Sequence, residues 1–281
     1  MSMQDVFNIS VIIFTVTNIG ALGLEANLRE ATKTLYSFRA IGLVLLWGWV
    51  VGPALAFLII RLLPMAEGHA AGLLLISLAP TAPFFPLMVS KARGDMSFAA
   101  SLMILTTVGT VLLLPLLAPW LIEGLTVDGW SLAKPLLVMV LFPLLIGIAF
   151  REFVPKAAAK LLPVISKIGM VFLLITLALT LVIFGRDLLG LVGSFAPGAQ
   201  LLFFVAITAL SYAFHFRLDQ PQRSAMALAM CTRNIAAVFA AFFGIMNPPD
   251  GMFVMVVLVV PLAAIVAIVA ARLFARQAPT D

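Results

Sequence analysis

Ala229-Met230-Cys231-Thr232-Arg233-Asn234 lies inside an apolar segment that runs from Ser224 to Met246. Of the chain's 29 charged residues (17 Lys and Arg, 12 Asp and Glu), Arg233 is the one near the middle of a predicted membrane span. A charge at mid-bilayer costs at least ~2.5–3.5 kcal/mol on insertion scales, so its default meaning is functional. The 281-residue chain is 63% hydrophobic and 10% charged, where a soluble domain carries about 25% charge. It reads as an all-α polytopic membrane protein. The net charge of +5 then becomes a matter of topology, with no nucleic-acid partner implied. One cysteine, Cys231, excludes an internal disulfide and a multi-cysteine metal site. No HExxH, GxSxG or GxxxxGK[ST] pattern occurs, so neither an enzyme nor a bound cofactor or metal is expected. Met1 to Phe7 has no basic run, and no cleaved signal peptide is expected.

About 20 apolar residues cross a ~30 Å hydrocarbon core. Nine such segments are predicted, at 7–24, 40–62, 70–91, 97–121, 132–150, 164–184, 197–215, 223–246 and 251–274. Thirteen of the 17 basic residues, among them Lys91, Arg151, Arg217, Arg223 and Arg272, follow odd-numbered segments. Three (Arg61, Lys134 and Arg186) lie on the other side, and Arg233 is the last. The positive-inside rule puts the N-terminus outside and the C-terminus in the cytoplasm. Trp120 and Trp130 flank an outer connection as interfacial anchors do.

Two segments are interrupted. Ala79-Pro80-Thr81-Ala82-Pro83-Phe84-Phe85-Pro86 cannot continue a helix, because each proline removes a donor and clashes with the preceding turn. Cys231-Thr232-Arg233-Asn234 places polar groups midway along the eighth span, where Thr and Asn compete with the helix ladder. The interruptions fall third in two sets of four spans, 1–4 and 6–9, and the charge pattern gives the sets opposite orientations. Inverted repeats with matching breaks point to a midplane binding site, and irregular backbone at that depth must be buried or line a cavity. Arg233 is ten residues past Arg223, about 15 Å along a helix. Pro83 is eight residues before Lys91, about 12 Å from the same surface. The two breaks are expected to face each other.

On the blocks Ala79–Pro119 and Arg223–Gly244 the chain resembles the bile acid:sodium symporter family. The residues that carry the resemblance are Pro80 to Pro86, Lys91-Ala92-Arg93-Gly94-Asp95, Thr106-Thr107-Val108-Gly109-Thr110 with Pro115, and Ala229 to Asn234. The resemblance implies two crossed discontinuous helices. It implies a core of helices within 40–121 and 197–274, and a panel of helices at 7–24, 132–150 and 164–184, with substrate between them in one transporter unit, 1–281. It also exposes departures. The family's sodium ligands, oxygen donors as hard cations require, align with Gly48, Phe85, Pro86, Ala99, Met103 and Ala229, and its second-break glutamine aligns with Arg233.

The expected function is therefore secondary transport of a small organic anion across the plasma membrane by alternating access. It is sodium-independent, as uniport or exchange, with Arg233 in place of the sodium sites. Arg233 either grips an anion directly, as a guanidinium fork can, or replaces the cations by neutralising half-helix carbonyls. Asn234 caps a half-helix or lines the site. Thr232 and Cys231 pack and hydrogen-bond locally, with a reactive Cys231 thiol as the other option. Pro83, Pro86, Cys231 and Arg233 form the crossing. Phe84 and Phe85 line the crossing or pack against their surroundings. Thr106 and Thr110 share a helix face and bond either a ligand or their own backbone. Asn18 meets substrate from the panel. Glu25 and His215 are solvated boundary residues. The alternatives are a non-transporting sensor or scaffold that keeps the fold, a sodium-coupled symporter with altered ligands, and a related carrier with the same crossing, such as the auxin-efflux-like carriers. The lipid bilayer and the anion are the partners implied.

Overall fold

The computed structural model describes residues 2–26, 38–122, 125, 127–191 and 193–278. Among the described residues, seven helices are long and apolar enough to cross a membrane: α1 (Met3–Glu25), α2 (Phe38–Leu62), α5 (Met96–Leu121), α6 (Gly129–Phe153), α7 (Pro155–Ile183), α9 (Ala196–Ala213) and α12 (Met252–Ala275). Between them lie α3 (Glu67–Ser77), α4 (Phe85–Lys91), the short α8 (Gly185–Gly190), α10 (Gln220–Cys231) and α11 (Ile235–Phe242). The segments expected at 70–91 and 223–246 are thus each two half-helices, of 11 and 7 residues and of 12 and 8 residues. At 1.5 Å per residue each half is roughly 10–18 Å long, short of a ~30 Å core.

Local sequence sets the ends of these elements. Ser2 and Asp5 form a reciprocal capping box on α1, while Asp95, Asp128 and Asp219 cap α5, α6 and α10 with their carboxylates. Each such cap satisfies a donor that the first helical turn leaves open. α7 begins at Pro155, earlier than the expected 164, because proline at the first helical position loses no bond. Lys156 and Lys160 consequently sit on helix and not in a connection. Two helices contain one wide, π-type turn each, at Leu46–Val51 and Leu137–Leu141. Each lies just before a proline, Pro53 or Pro143, near the start of the next helical stretch. The wide turn gives the proline ring room that the i−4 carbonyl of a regular helix denies it.

α1 packs along α7 and α6. Its approach to α6 is close enough that a Cβ on Gly23 would collide with the Leu144 carbonyl, and one on Gly147 would lie 2.8 Å from the Gly23 Cα. Ser10 and Thr176 hydroxyls meet at 3.0 Å between α1 and α7. α12 lies against α3, and α9 against α10 and α12. Phe253 centres an aromatic cluster, contacting Phe7, Phe184, Phe239 and Phe242 with ring centroids 4.7–5.7 Å apart. Trp120 and Trp130 are both largely exposed, on the helices that flank the connection between α5 and α6.

Candidate functional site

The two interruptions meet. Pro80 and Arg233 oppose each other as an antiparallel bridge. Pro80 has no N–H, so its neighbours carry the bonds. The Thr81 N–H donates to the Thr232 carbonyl at 2.8 Å and the Ala229 carbonyl at 3.1 Å, and the Asn234 N–H donates to the Ala79 carbonyl at 2.9 Å. Thr81 takes a left-handed φ of 71° to make this turn, a costly conformation for a β-branched residue, held by those paired bonds. The Thr232 hydroxyl accepts from the Ala82 N–H at 3.2 Å and donates to the Leu228 carbonyl at 2.9 Å. Asn234 caps α11, its Oδ1 accepting from the Ala237 N–H at 3.1 Å.

Helix ends buried this deeply must find partners for their free backbone groups, and the C-terminal end of α3 finds a different donor for each of three successive carbonyls. The Trp49 indole N–H donates to Leu78 at 3.0 Å. The Asn234 N–H donates to Ala79. The Arg233 Nη1 donates to Ser77 at 3.5 Å. Trp49 is itself held by Gly109, where a Cβ would strike the indole ring.

Arg233 is 1% exposed. Its guanidinium lies over the Phe203 ring, 4.9 Å from the centroid, a favourable contact for a desolvated cation. Its Nε and Nη2 are buried with no hydrogen-bond partner among the described residues. A positive charge at the C-terminal end of a half-helix is electrostatically matched to it, yet two donors remain open.

Arg233 also borders a cavity of about 290 Å³. Phe14, Asn18, Leu22 and Glu25 of α1 and Ser166, Gly169, Met170 and Leu173 of α7 line one side. Ala82, Pro83 and Phe84 of the first break, Arg233 and Ile235 of the second, and Val259, Val260 and Ala263 of α12 line the other. The wall is mostly apolar, with a few polar groups, which is the usual composition of an organic-ligand site.

Of the expected site residues, Arg233, Phe84, Pro83 and Asn18 come together on this cavity. Phe85 is fully buried and is not among the cavity's lining residues, and Pro86 sits in the first turn of α4. Thr232 and Asn234 build the crossing, and Cys231 is buried at the end of α10. Thr106 and Thr110 are buried and donate to the Leu102 and Thr106 carbonyls of their own helix at 2.7 and 2.8 Å. They are not among the cavity's lining residues. Ser166 and the α12 residues were not singled out in the sequence, and an apolar helix with one serine carries no signal that could have found them. Glu25, expected at a solvated boundary, is exposed and lines the cavity as well.

The positions that the sequence resemblance sets against sodium ligands, Gly48, Phe85, Pro86, Ala99, Met103 and Ala229, carry no side-chain oxygen. A Cβ at Gly48 would lie 3.3 Å from Pro80 Cγ, so Pro80 occupies the space a longer residue would need. Among the described residues no group of three His, Cys, Asp or Glu could hold a metal ion.

A stretch of 163 residues is 27% identical to the probable sodium/metabolite cotransporter BASS1, chloroplastic, of Arabidopsis thaliana, covering 58% of this chain and 40% of that protein. A stretch of 150 residues is 26% identical to the probable sodium/metabolite cotransporter BASS2, chloroplastic, of Oryza sativa subsp. japonica, covering 53% of this chain and 36% of that protein. The match thus spans about two fifths of the length of these curated relatives. The model of the Sodium Bile acid symporter family matches residues 12–191, well over half of the chain and including the first break. The chain therefore belongs to the sodium bile acid symporter family.

Proposed function

We propose that this protein is a secondary transporter that carries a small or amphipathic organic anion by alternating access, without sodium, with Arg233 standing where the family places its cations. The observation that carries the proposal is the double situation of Arg233. One guanidinium nitrogen points at the last carbonyl of α3 while two others are unpaired, and the residue borders a cavity. The first contact does the electrostatic work of a bound cation. The two unpaired donors are buried here; turned toward the cavity they would meet a carboxylate or phosphate, which a guanidinium binds in bidentate fashion. Both roles belong to one residue.

In this proposal each interrupted pair, α3 with α4 and α10 with α11, crosses the membrane as a unit. That gives nine spans in two inverted repeats, with the N-terminus outside. α1, α6 and α7 form the panel, and the helices around the crossing form the core. The cavity between them is the substrate site, and rocking of core against panel moves it from one side to the other. The membrane is the plasma membrane, although the two relatives above are named chloroplastic. Without a coupled cation, transport follows the anion's own gradient and the voltage. An inside-negative potential is worth about 2.3 kcal/mol per charge per 100 mV and favours efflux.

Sodium-coupled symport is the second reading, favoured by the printed names of both relatives. Reconstitution into proteoliposomes separates the two. Organic-anion flux should be equal in sodium and potassium media, with exchange driven by anion on the opposite side. Accumulation that requires an inward sodium gradient would overturn the sodium-independent mechanism. No anion flux under any gradient would overturn transport itself.

A further inference from the structure

We propose that the seam between α9 and α12 holds an anionic phospholipid, with one acyl chain along the seam and the phosphate at Arg223. The seam is a groove of about 550 Å³, separate from the substrate cavity. Leu201, Val205 and Ala209 form one wall at four-residue spacing, and Ile265, Val269 and Leu273 form the other. The large residues of these walls are 40–56% exposed, so the groove opens to the surrounding lipid. From Leu201 to Tyr212, and from Ile265 to Gln277, the lining runs about 16–18 Å at 1.5 Å per residue. That is close to half of a ~30 Å hydrocarbon core, the depth of a single leaflet.

The groove changes character at one end. Tyr212 stacks on Phe274 with centroids 4.0 Å apart, and its hydroxyl donates to Gln277 Oε1 at 2.6 Å. The Arg223 guanidinium covers the ring, 4.0 Å from its centroid. Its Nε is buried with no hydrogen-bond partner among the described residues. The nearest carboxylate in sequence, Asp219, is engaged as the cap of α10, accepting from the Gln222 N–H at 3.0 Å. Arg272 and Arg276 lie next in sequence to the groove residues Leu273 and Gln277, at the same end of α12. An apolar trough one leaflet deep that ends in an arginine clamped on an aromatic ring, with two more arginines beside it, complements an acyl chain with an anionic head group. Basic pockets between membrane helices recognise lipid phosphates in this way. A free anion would use the arginines and ignore the trough; a zwitterionic lipid would use the trough and gain little from the arginines. The orientation proposed above makes this the cytoplasmic leaflet, and Arg223 stands on the same half-helix whose far end leads into Arg233.

Native mass spectrometry of the full-length protein in a neutral detergent, with equal amounts of dioleoyl phosphatidylglycerol and phosphatidylcholine, tests the proposal. Preferential retention of phosphatidylglycerol is expected. Arg223→Gln should lower that retention about fivefold, the weight of one arginine near an anionic surface. Ala209→Trp, which fills the trough from its lipid-exposed wall and leaves every charge in place, should lower it too and serves if the Arg223 variant does not fold. Equal retention of both lipids, retention unaffected by Ala209→Trp, or displacement of phosphatidylglycerol by millimolar glycerol phosphate would each overturn it.

Discussion

Replacing Arg233 by glutamine removes the charge while keeping a polar side chain of similar reach. The wild-type arginine contributes three favourable contacts. A cation at a half-helix C-terminus is worth up to ~2 kcal/mol. A desolvated guanidinium over an aromatic ring, here Phe203 at 4.9 Å, gives about 2 kcal/mol. The long 3.5 Å bond to Ser77 adds about 1 kcal/mol. Against these stands a desolvation cost of several kcal/mol for a buried ion, which includes its two buried unpaired nitrogens. The opposing sums are similar, so Arg233→Gln should leave the folding free energy within ~2 kcal/mol of wild type. Binding is different. Losing one partner of a buried charge pair with the substrate anion costs about 2–5 kcal/mol, roughly 30- to 4,000-fold at 1.4 kcal/mol per decade. Thermal unfolding followed by tryptophan fluorescence, beside initial anion flux in proteoliposomes, measures both quantities on one preparation. Wild-type flux at subsaturating anion in a well-folded Arg233→Gln protein would refute the assignment of Arg233 to the substrate.

Other expectations follow from the same geometry. The double substitution Ala229→Glu with Arg233→Gln introduces the two residues that the sequence resemblance implies at these positions and, under the proposed cation replacement, should make anion flux depend on sodium; flux that stays equal in sodium and potassium counts against cation replacement. Thr106→Val and Thr110→Val remove hydroxyls bonded to their own helix and should change flux by less than about threefold, since such bonds carry only ~0.5–1.5 kcal/mol each. Gly109→Ala drives a methyl group into Trp49 and should destabilise the protein by about 1–3 kcal/mol, visible as a lower melting temperature, whereas an unchanged one would mean that Trp49 is free to move. Gln277→Cys should react with a membrane-impermeant maleimide only in inside-out vesicles, against a silent background from buried Cys231. Labelling in right-side-out vesicles would invert the proposed orientation.

What was legible in the sequence is tied to backbone chemistry. Pro80, Pro83 and Pro86 cannot sit in one helix, and Thr232-Arg233-Asn234 cannot sit quietly in lipid, so both interruptions and their proximity could be read from residue type and spacing. The capping role of Asn234 was one of two options, and its bond to the Ala237 N–H chose it. The arginine's neighbours were not legible. Ser77 offers a backbone carbonyl, which every residue has, and Phe203 is one of 22 phenylalanines, so neither stands out. The cavity wall from α12 is a run of Val and Ala that looks like any lipid-facing helix. The wide turns before Pro53 and Pro143 were likewise hidden, because proline alone does not say whether a helix kinks, breaks or loosens by one residue.

The crossing at Pro80 and Arg233 is fastened chiefly by main-chain groups: Thr81 to Ala229 and Thr232, and Asn234 to Ala79. Main-chain bonds do not depend on which side chain is attached. Selection can therefore rewrite the side chains around the junction one at a time without dissolving the junction itself. A lineage can exchange the polar groups beside such a junction and pass through intermediates that still fold. Such a joint makes the scaffold conservative and its energy source changeable, so descendants of one ancestor can keep a common shape while differing in what drives them.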